Sequence, residues 1–157
     1  MVCYTDGESA ELFLNGQSLG LHFKNAAQRL ERYRIWWHDV PFADGELKVV
    51  AYDKDGNEIG TDVIKTAGAF DHYRYDYDNY NELGYVTVTA VDKDGTMLRD
   101  ANWPIEVSVR GDAKFKGICN GDATSLEVFT EPHMKLFNGQ LVVTVEKTSN
   151  NYQVIAK

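Results

Sequence analysis

Tyr85-Val86-Thr87-Val88-Thr89-Ala90-Val91, then Asp92-Lys93-Asp94-Gly95, then Thr96-Met97-Leu98, reads as a strand, a tight turn and a returning strand. Valine alternates with threonine over the first segment, and a period of two puts one set on each face of an extended chain. Both residue types are β-branched and suit a pleated surface. Asp and Gly tolerate the turn conformations that other residues resist. The same order occurs earlier, where Gly45 to Gly56 echoes Gly84 to Gly95 and again ends in Asp-Lys-Asp-Gly. A repeat array needs at least three such units, so the echo means two similar hairpins.

Strand signals continue on both sides. Towards the N-terminus, Ala10 to Leu14 meets Asn15-Gly16, a pair suited to the positive φ angles of a type I′ hairpin, and returns through Gln17 to Gly20. Arg34 to Val40 is aromatic and β-branched, and Pro41 ends it. Glu46 to Tyr52 pairs with Asn57 to Gly60 and Asp62 to Lys65, and Thr66-Ala67-Gly68 breaks the run. Ala69 to Asp76 alternates, with Tyr73 and Tyr75 on one face. Towards the C-terminus, Ile105 to Val109, Phe115 to Cys119, Leu126 to Phe129, Leu141 to Val145 and Tyr152 to Ile155 read as five more strands. The spacing of Ala26, Ala27, Leu30 and Tyr33 allows a turn of helix, but the segment reads as an inter-strand loop. Many short strands with regular turn signals indicate sandwiches or barrels. The expected fold is all-β, with two immunoglobulin-like β-sandwich domains in tandem. The polar, turn-rich stretch Asp78 to Gly84 is read as the boundary, giving domains 1–77 and 78–157.

Bulk properties narrow the function. With 43% hydrophobic and 25% charged residues the chain has enough apolar material for a core. No apolar run approaches the roughly 18 residues of a membrane span. The net charge of -8 repels phosphate backbones and argues against nucleic acid. Cys3 and Cys119 lack metal or redox spacing, so each is read as a small buried apolar group. Met1 leads directly into Val2-Cys3-Tyr4 without a basic and apolar leader, so no signal peptide is expected and the chain reads as excised from something longer.

Chemical motifs are scarce. Asp53 to Glu58 and Asp92 to Gly95 resemble calcium loops in composition, but the Gly is fourth rather than sixth and Ile64 stands where an EF-hand has its bidentate Glu. Both read as turns, and no metal or cofactor is assigned. His22, His38, His72 and His133 are not spaced as ligands. Glycoside hydrolysis needs a carboxyl pair, one of them in an apolar setting that raises its pKa. No acidic residue stands in a clearly apolar strand, and no catalytic residue is assigned. Trp36, Tyr77 and Tyr80 are the candidates for stacking on carbohydrate, with packing against core or neighbouring domain as the competing account. Trp36 and Trp37 are adjacent in an extended run and must point to opposite faces. Trp37 shares a face with Ile35 and is assigned to the core, which leaves Trp36 outward with His38.

In their order, these motifs resemble the C-terminal region of family-2 glycoside hydrolases of the bacterial β-galactosidase type. Glu11 to Gly16, Ser18 to Gly20, Trp37, Val40 to Phe42, Gly45 to Leu47 and Thr66 to Gly68 resemble the small domain that follows the catalytic barrel. Tyr85 to Val88, Asp92 to Gly95, Asn102, Gly117 to Asp122 and Leu136 to Gly139 resemble the immunoglobulin-like domain that closes such chains. Cys119 stands where a small residue is usual, and Tyr73 to Tyr80 is unusually rich in tyrosine. The resemblance implies catalytic glutamates on a barrel of about 250 residues, which a chain of this length does not contain. It implies an accessory role, with the catalytic barrel and other domains of a parent chain as partners. The alternative is a carbohydrate-binding module.

Overall fold

The computed structural model describes all 157 residues and contains eleven strands and no helix. They are β1 (Val2–Tyr4), β2 (Ser9–Leu14), β3 (Gln17–Phe23), β4 (Arg34–Trp36), β5 (Glu46–Tyr52), β6 (Glu58–Lys65), β7 (His72–Tyr80), β8 (Leu83–Val91), β9 (Pro104–Cys119), β10 (His133–Lys135) and β11 (Gln140–Ala156). The chain forms two compact units, Met1–Thr66 and Ala67–Lys157. The fold is all-β, as the alternation requires.

The expected boundary moves. Asp78 to Gly84 is not a linker: β7 and β8 pair from His72 opposite Val91 to Tyr80 opposite Leu83. Asn81 and Glu82 only turn the chain, with Asn81 at φ 49°. Asparagine is among the few residues that enter the left-handed region readily. The chain instead passes between units at Thr66-Ala67, beside the Thr66-Ala67-Gly68 break.

The first unit sets a four-stranded sheet, ordered β3-β2-β5-β6, against the two-stranded sheet β1-β4. Asn15 and Gly16 turn β2 into β3 with φ angles of 51° and 80°, the I′ signature. Ala10, Leu12, Ile35, Trp37 and Ala51 form its core. The run Arg34 to Val40 is extended only as far as Trp36, because Asp39 adopts a φ of 57° and turns the chain before Pro41. Asn25 to Tyr33 is a loop of turns, as read.

The second unit is a single hydrogen-bonded array, ordered β10-β9-β11-β8-β7, folded over on itself. Two expected strands merge into β9, and two more into β11. The first half of β11 pairs with β8 and with the end of β9; its second half pairs only with the start of β9. Register shifts after Thr144 and between Lys147 and Tyr152 make the bend. Gly111 sits there at φ 87°, where a Cβ would strike the Asn151 carbonyl. Val86, Val88, Ile118, Leu141 and Val143 from one layer then meet Ile105, Val107, Met134 and Val154 from the other in one core.

Two further expectations change. The returning strand Thr96 to Leu98 shrinks to a bridge between Met97 and Val91. β8 already has β7 on one side and β11 on the other, so it has no long free edge to offer. Leu126 to Phe129 is not a strand: Leu126 is 97% exposed, and the segment is pinned as a loop by Glu127, which accepts from the Lys135 amide and the Ser125 hydroxyl.

Candidate functional site

The Asp-Lys-Asp-Gly turns show what their aspartates do. Asp53 Oδ1 accepts from the amides of Asp55 and Asn57 at 2.8 and 2.9 Å, and its Oδ2 accepts from the Asn57 side chain at 3.0 Å. Asp92 Oδ1 accepts from the amides of Asp94 and Thr96 at 2.9 and 2.8 Å, and its Oδ2 accepts from the Gly68 amide at 2.8 Å. Each aspartate closes its own turn, and Gly56 and Gly95 supply the positive φ at the fourth position. The hydrogen bond from the Asn57 side chain leads in holding the Asp53 carboxyl below the usual carboxylate range. For Asp92 the Gly68 amide is the leading cause of the same lowering. Asp122 is lowered chiefly by the Thr124 hydroxyl. Stabilising the charged form in this way suits a structural acceptor and opposes the work of a general acid.

The aromatic pair divides as the extended chain demands. Trp37 is 2% exposed, shares the core face with Ile35, donates its ring N–H to the Gly20 carbonyl at 2.9 Å and stacks on His22. Trp36 is half-buried on the other face and lies parallel to His38, with ring centroids 6.1 Å apart. The Arg34 guanidinium lies over Trp36 at 4.9 Å and over exposed Tyr4 at 5.9 Å. It also donates to the Tyr4 hydroxyl at 3.1 Å. Sequence reading singled out Trp36 and missed Arg34 and Tyr4. The cross-strand pairing of Tyr4 with Arg34 brings them together, and that register is not written in either segment alone.

The tyrosines of β7 have a different use. Beyond the bend, β11 keeps β9 on one side only. Lys157 exchanges backbone hydrogen bonds with Glu106, so at alternate positions the amides of Ala156 and Val154 point away from β9. The Tyr75 hydroxyl accepts from Ala156 at 2.9 Å, and the Tyr77 hydroxyl accepts from Val154 at 3.2 Å. Tyr73 accepts from the Trp103 ring N–H at 3.0 Å, and Tyr152 donates to Asn79 at 2.8 Å. The phenols stand in for a missing strand. Tyr77 keeps 43% of its surface exposed, and Tyr80, on the opposite face of β7, keeps 70%. Trp36 belongs to the first unit and the two tyrosines to the second, so neither unit gathers all three candidates.

Sequence reading also missed a groove in the first unit. It has a volume of about 320 Å³ and is lined by β1, by Leu12 and Trp37, by Leu47 and Val49 of β5, and by Asp62 and Ile64 of β6. Cys3 lies in its wall, partly buried, and burial pushes its thiol pKa up. Cys119 is exposed. Neither cysteine is the fully buried group expected: Cys3 lines the open groove, and Cys119 follows buried Ile118 along β9 and so points to the other face.

These features define a tandem β-sandwich protein whose polar side chains close turns and cap strand edges. A family profile described as glycoside hydrolase family 2 C-terminal domain 5 matches residues 71–157, and a domain of unknown function, DUF4982, matches residues 1–60. The chain belongs to the former family, as a C-terminal part of a family-2 glycoside hydrolase. It is 30% identical over 149 residues to the β-galactosidase BoGH2A of Bacteroides ovatus, covering 91% of this chain and 17% of that protein. A solved family-2 glycosyl hydrolase from Bacteroides cellulosilyticus superposes with a TM-score of 0.89 at 32% identity, covering 99% of this chain and 22% of that one. A β-glycosidase from Bacteroides vulgatus shares the fold, with a TM-score of 0.80 at 23% identity over 99% of this chain and 20% of that one. The chain thus spans about a fifth of the length of these relatives.

Proposed function

We propose that the chain is a non-catalytic accessory region of a β-galactosidase-like enzyme, supporting the catalytic barrel or a subunit interface during carbohydrate breakdown. The observation that carries this reading is the short span of the chain, about a fifth of the length of its relatives, beside the structural use of its best-held carboxyls. Asp53, Asp92 and Asp122 are committed to turn amides and hydroxyls and pushed toward the charged form. A glycosidase acid must be pushed the other way. The test is an assay of residues 1–157 on nitrophenyl galactosides. No turnover is expected. Turnover that survives repurification and disappears on substituting one carboxylate of this chain overturns the reading.

A second reading, carbohydrate binding, is favoured by the outward array of Tyr4, Arg34, Trp36 and His38, since aromatic rings beside a guanidinium offer a sugar both apolar contact and hydrogen-bond donors. Titration with galactose and oligosaccharides, followed by tryptophan fluorescence, separates the two. A quench seen in the wild type and absent in Trp36→Ala replaces the accessory reading with the binding one.

A further inference from the structure

The first unit has two strands facing four. Side chains at the β4 end reach β3: Trp37 donates to the Gly20 carbonyl, and the His22 ring bonds the Trp36 carbonyl at 2.6 Å. Nothing corresponding covers β6 or completes the burial of Leu47 and Val49 on β5, which pack only in part against the core. The inner face of their sheet there presents Leu47, Val49 and Ile64 to the groove with Asp62 among them, and Ile64 is 56% exposed. Every residue of β6 is exposed. A sheet face made of such residues normally packs on a second layer.

The backbone of β1 identifies what fits. The Trp37 amide donates to the Met1 carbonyl at 3.0 Å, so Met1 and Trp37 form a hydrogen-bonded pair. The register places Cys3 opposite Ile35 as the next such pair. Antiparallel pairing alternates, which turns the N–H and C=O groups of Val2 and Tyr4 to the other side, where the groove lies. A small ligand would leave that row of donors and acceptors to water. An added strand pairs with it while its alternate side chains fill the groove.

Resting on the reading of the chain as part of a longer family-2 polypeptide, we propose that a β-strand of the same polypeptide, from outside residues 1–157, adds antiparallel or parallel to the free edge of β1. It seats apolar side chains, at every second position, over Leu47, Val49 and Ile64. The source is argued from length: about four-fifths of the relatives lies outside the matched region. A strand supplied in cis also comes at high effective concentration.

The test compares residues 1–157 with the full-length polypeptide that carries them. Ile64→Asp is expected to lower the Tm of the short chain only slightly, because Ile64 there is more than half exposed on an edge strand, and to speed hydrogen exchange in β5 and β6 of the full-length protein by about tenfold or more. Alkylation of Cys3, followed by mass spectrometry of its peptide, gives a measurement that needs no variant to fold. It is expected to slow by about tenfold or more in the full-length protein, where the groove is filled. Equal alkylation of Cys3 in both, with Ile64→Asp changing both alike, overturns the inference and leaves the accessory reading intact. A short chain that dimerises in sedimentation, and is made monomeric by Ile64→Asp, names a second copy as the occupant and overturns it too. If antibodies to these residues detect only a product of 157 residues in the source cells, the accessory reading and the inference fail together.

Discussion

At the scale of single residues, Trp36 and Trp37 carry opposite duties one peptide apart. Trp37 sits in the first unit's core with its ring N–H satisfied, so Trp37→Ala removes both packing and a hydrogen bond. A loss of about 3–5 kcal/mol in chemical denaturation is expected. Trp36 meets Arg34 and His38 on the outer face, and Trp36→Ala should cost only about 0.5–1.5 kcal/mol, the scale of an exposed cation–π contact. Equal costs would reverse the face assignment. Asp92 gives a prediction in pH. Its carboxyl is held below the usual range in the folded chain, so the unfolded chain takes up its proton first as pH falls. The stability it contributes is complete above the unfolded value, near 3.9, and is lost as pH falls through the lower folded one. Asp92→Asn keeps one acceptor oxygen and must turn its NH2 toward either the Gly68 amide or the paired amides of Asp94 and Thr96, donor against donor. The variant should therefore be less stable than wild type at pH 7, and the gap should narrow below about pH 4. A gap independent of pH in urea titrations would show that the charge does not matter.

Among the elements, β7 combines a legible pattern with an illegible purpose. Its alternation was plain in Tyr73 and Tyr75, but the strand expected over Ala69 to Asp76 runs instead from His72 to Tyr80, through part of the stretch read as a boundary. The reason for so many phenols lay elsewhere, in the amides that β11 turns away from β9 beyond its bend. No local pattern at residues 73–80 records that need. Tyr75→Phe and Tyr77→Phe keep the ring and delete the acceptor. Each should cost about 1–3 kcal/mol, the scale of a buried amide left unpaired, and hydrogen exchange at Ala156 or Val154 should accelerate in the matching variant. Unchanged exchange would mean that water serves as well as the phenol. The same limit explains the other differences. The strands of β9 and β11 were legible as residues 105–109, 115–119, 141–145 and 152–155, but their continuity was not. Arg110-Gly111-Asp112 and Thr148 to Asn151 carry the composition of turns, and the structure uses them to bend a strand across two layers. The groove was equally hidden, since Leu47, Val49 and Ile64 read as ordinary strand residues until the layer opposite them proves too narrow.

For the whole molecule, the two units divide at Thr66-Ala67, and the turn at Asn81-Glu82 is bound into a sheet by Lys147, which donates to both of its carbonyls. Limited proteolysis should cleave between about residues 66 and 70 before it cleaves 77–84, because protease needs locally opened backbone. Gel bands matching 1–66 and 67–157 would support this division; early cutting at Asn81-Glu82 would restore the boundary that composition suggested. The bent pair β9 and β11 sets a further condition, on synthesis. Val107 must find Ala156, and Cys119 must find Val142, before either layer of the second unit is complete. Non-local pairing of this kind folds slowly, in milliseconds to seconds. On the ribosome, residues 104–119 emerge as a long ribbon with apolar residues at alternate positions, before the partner strand 140–156 has been made. For the time it takes to translate 120–156, at about 5–20 residues per second, that ribbon waits without β11 and vulnerable to other nascent chains.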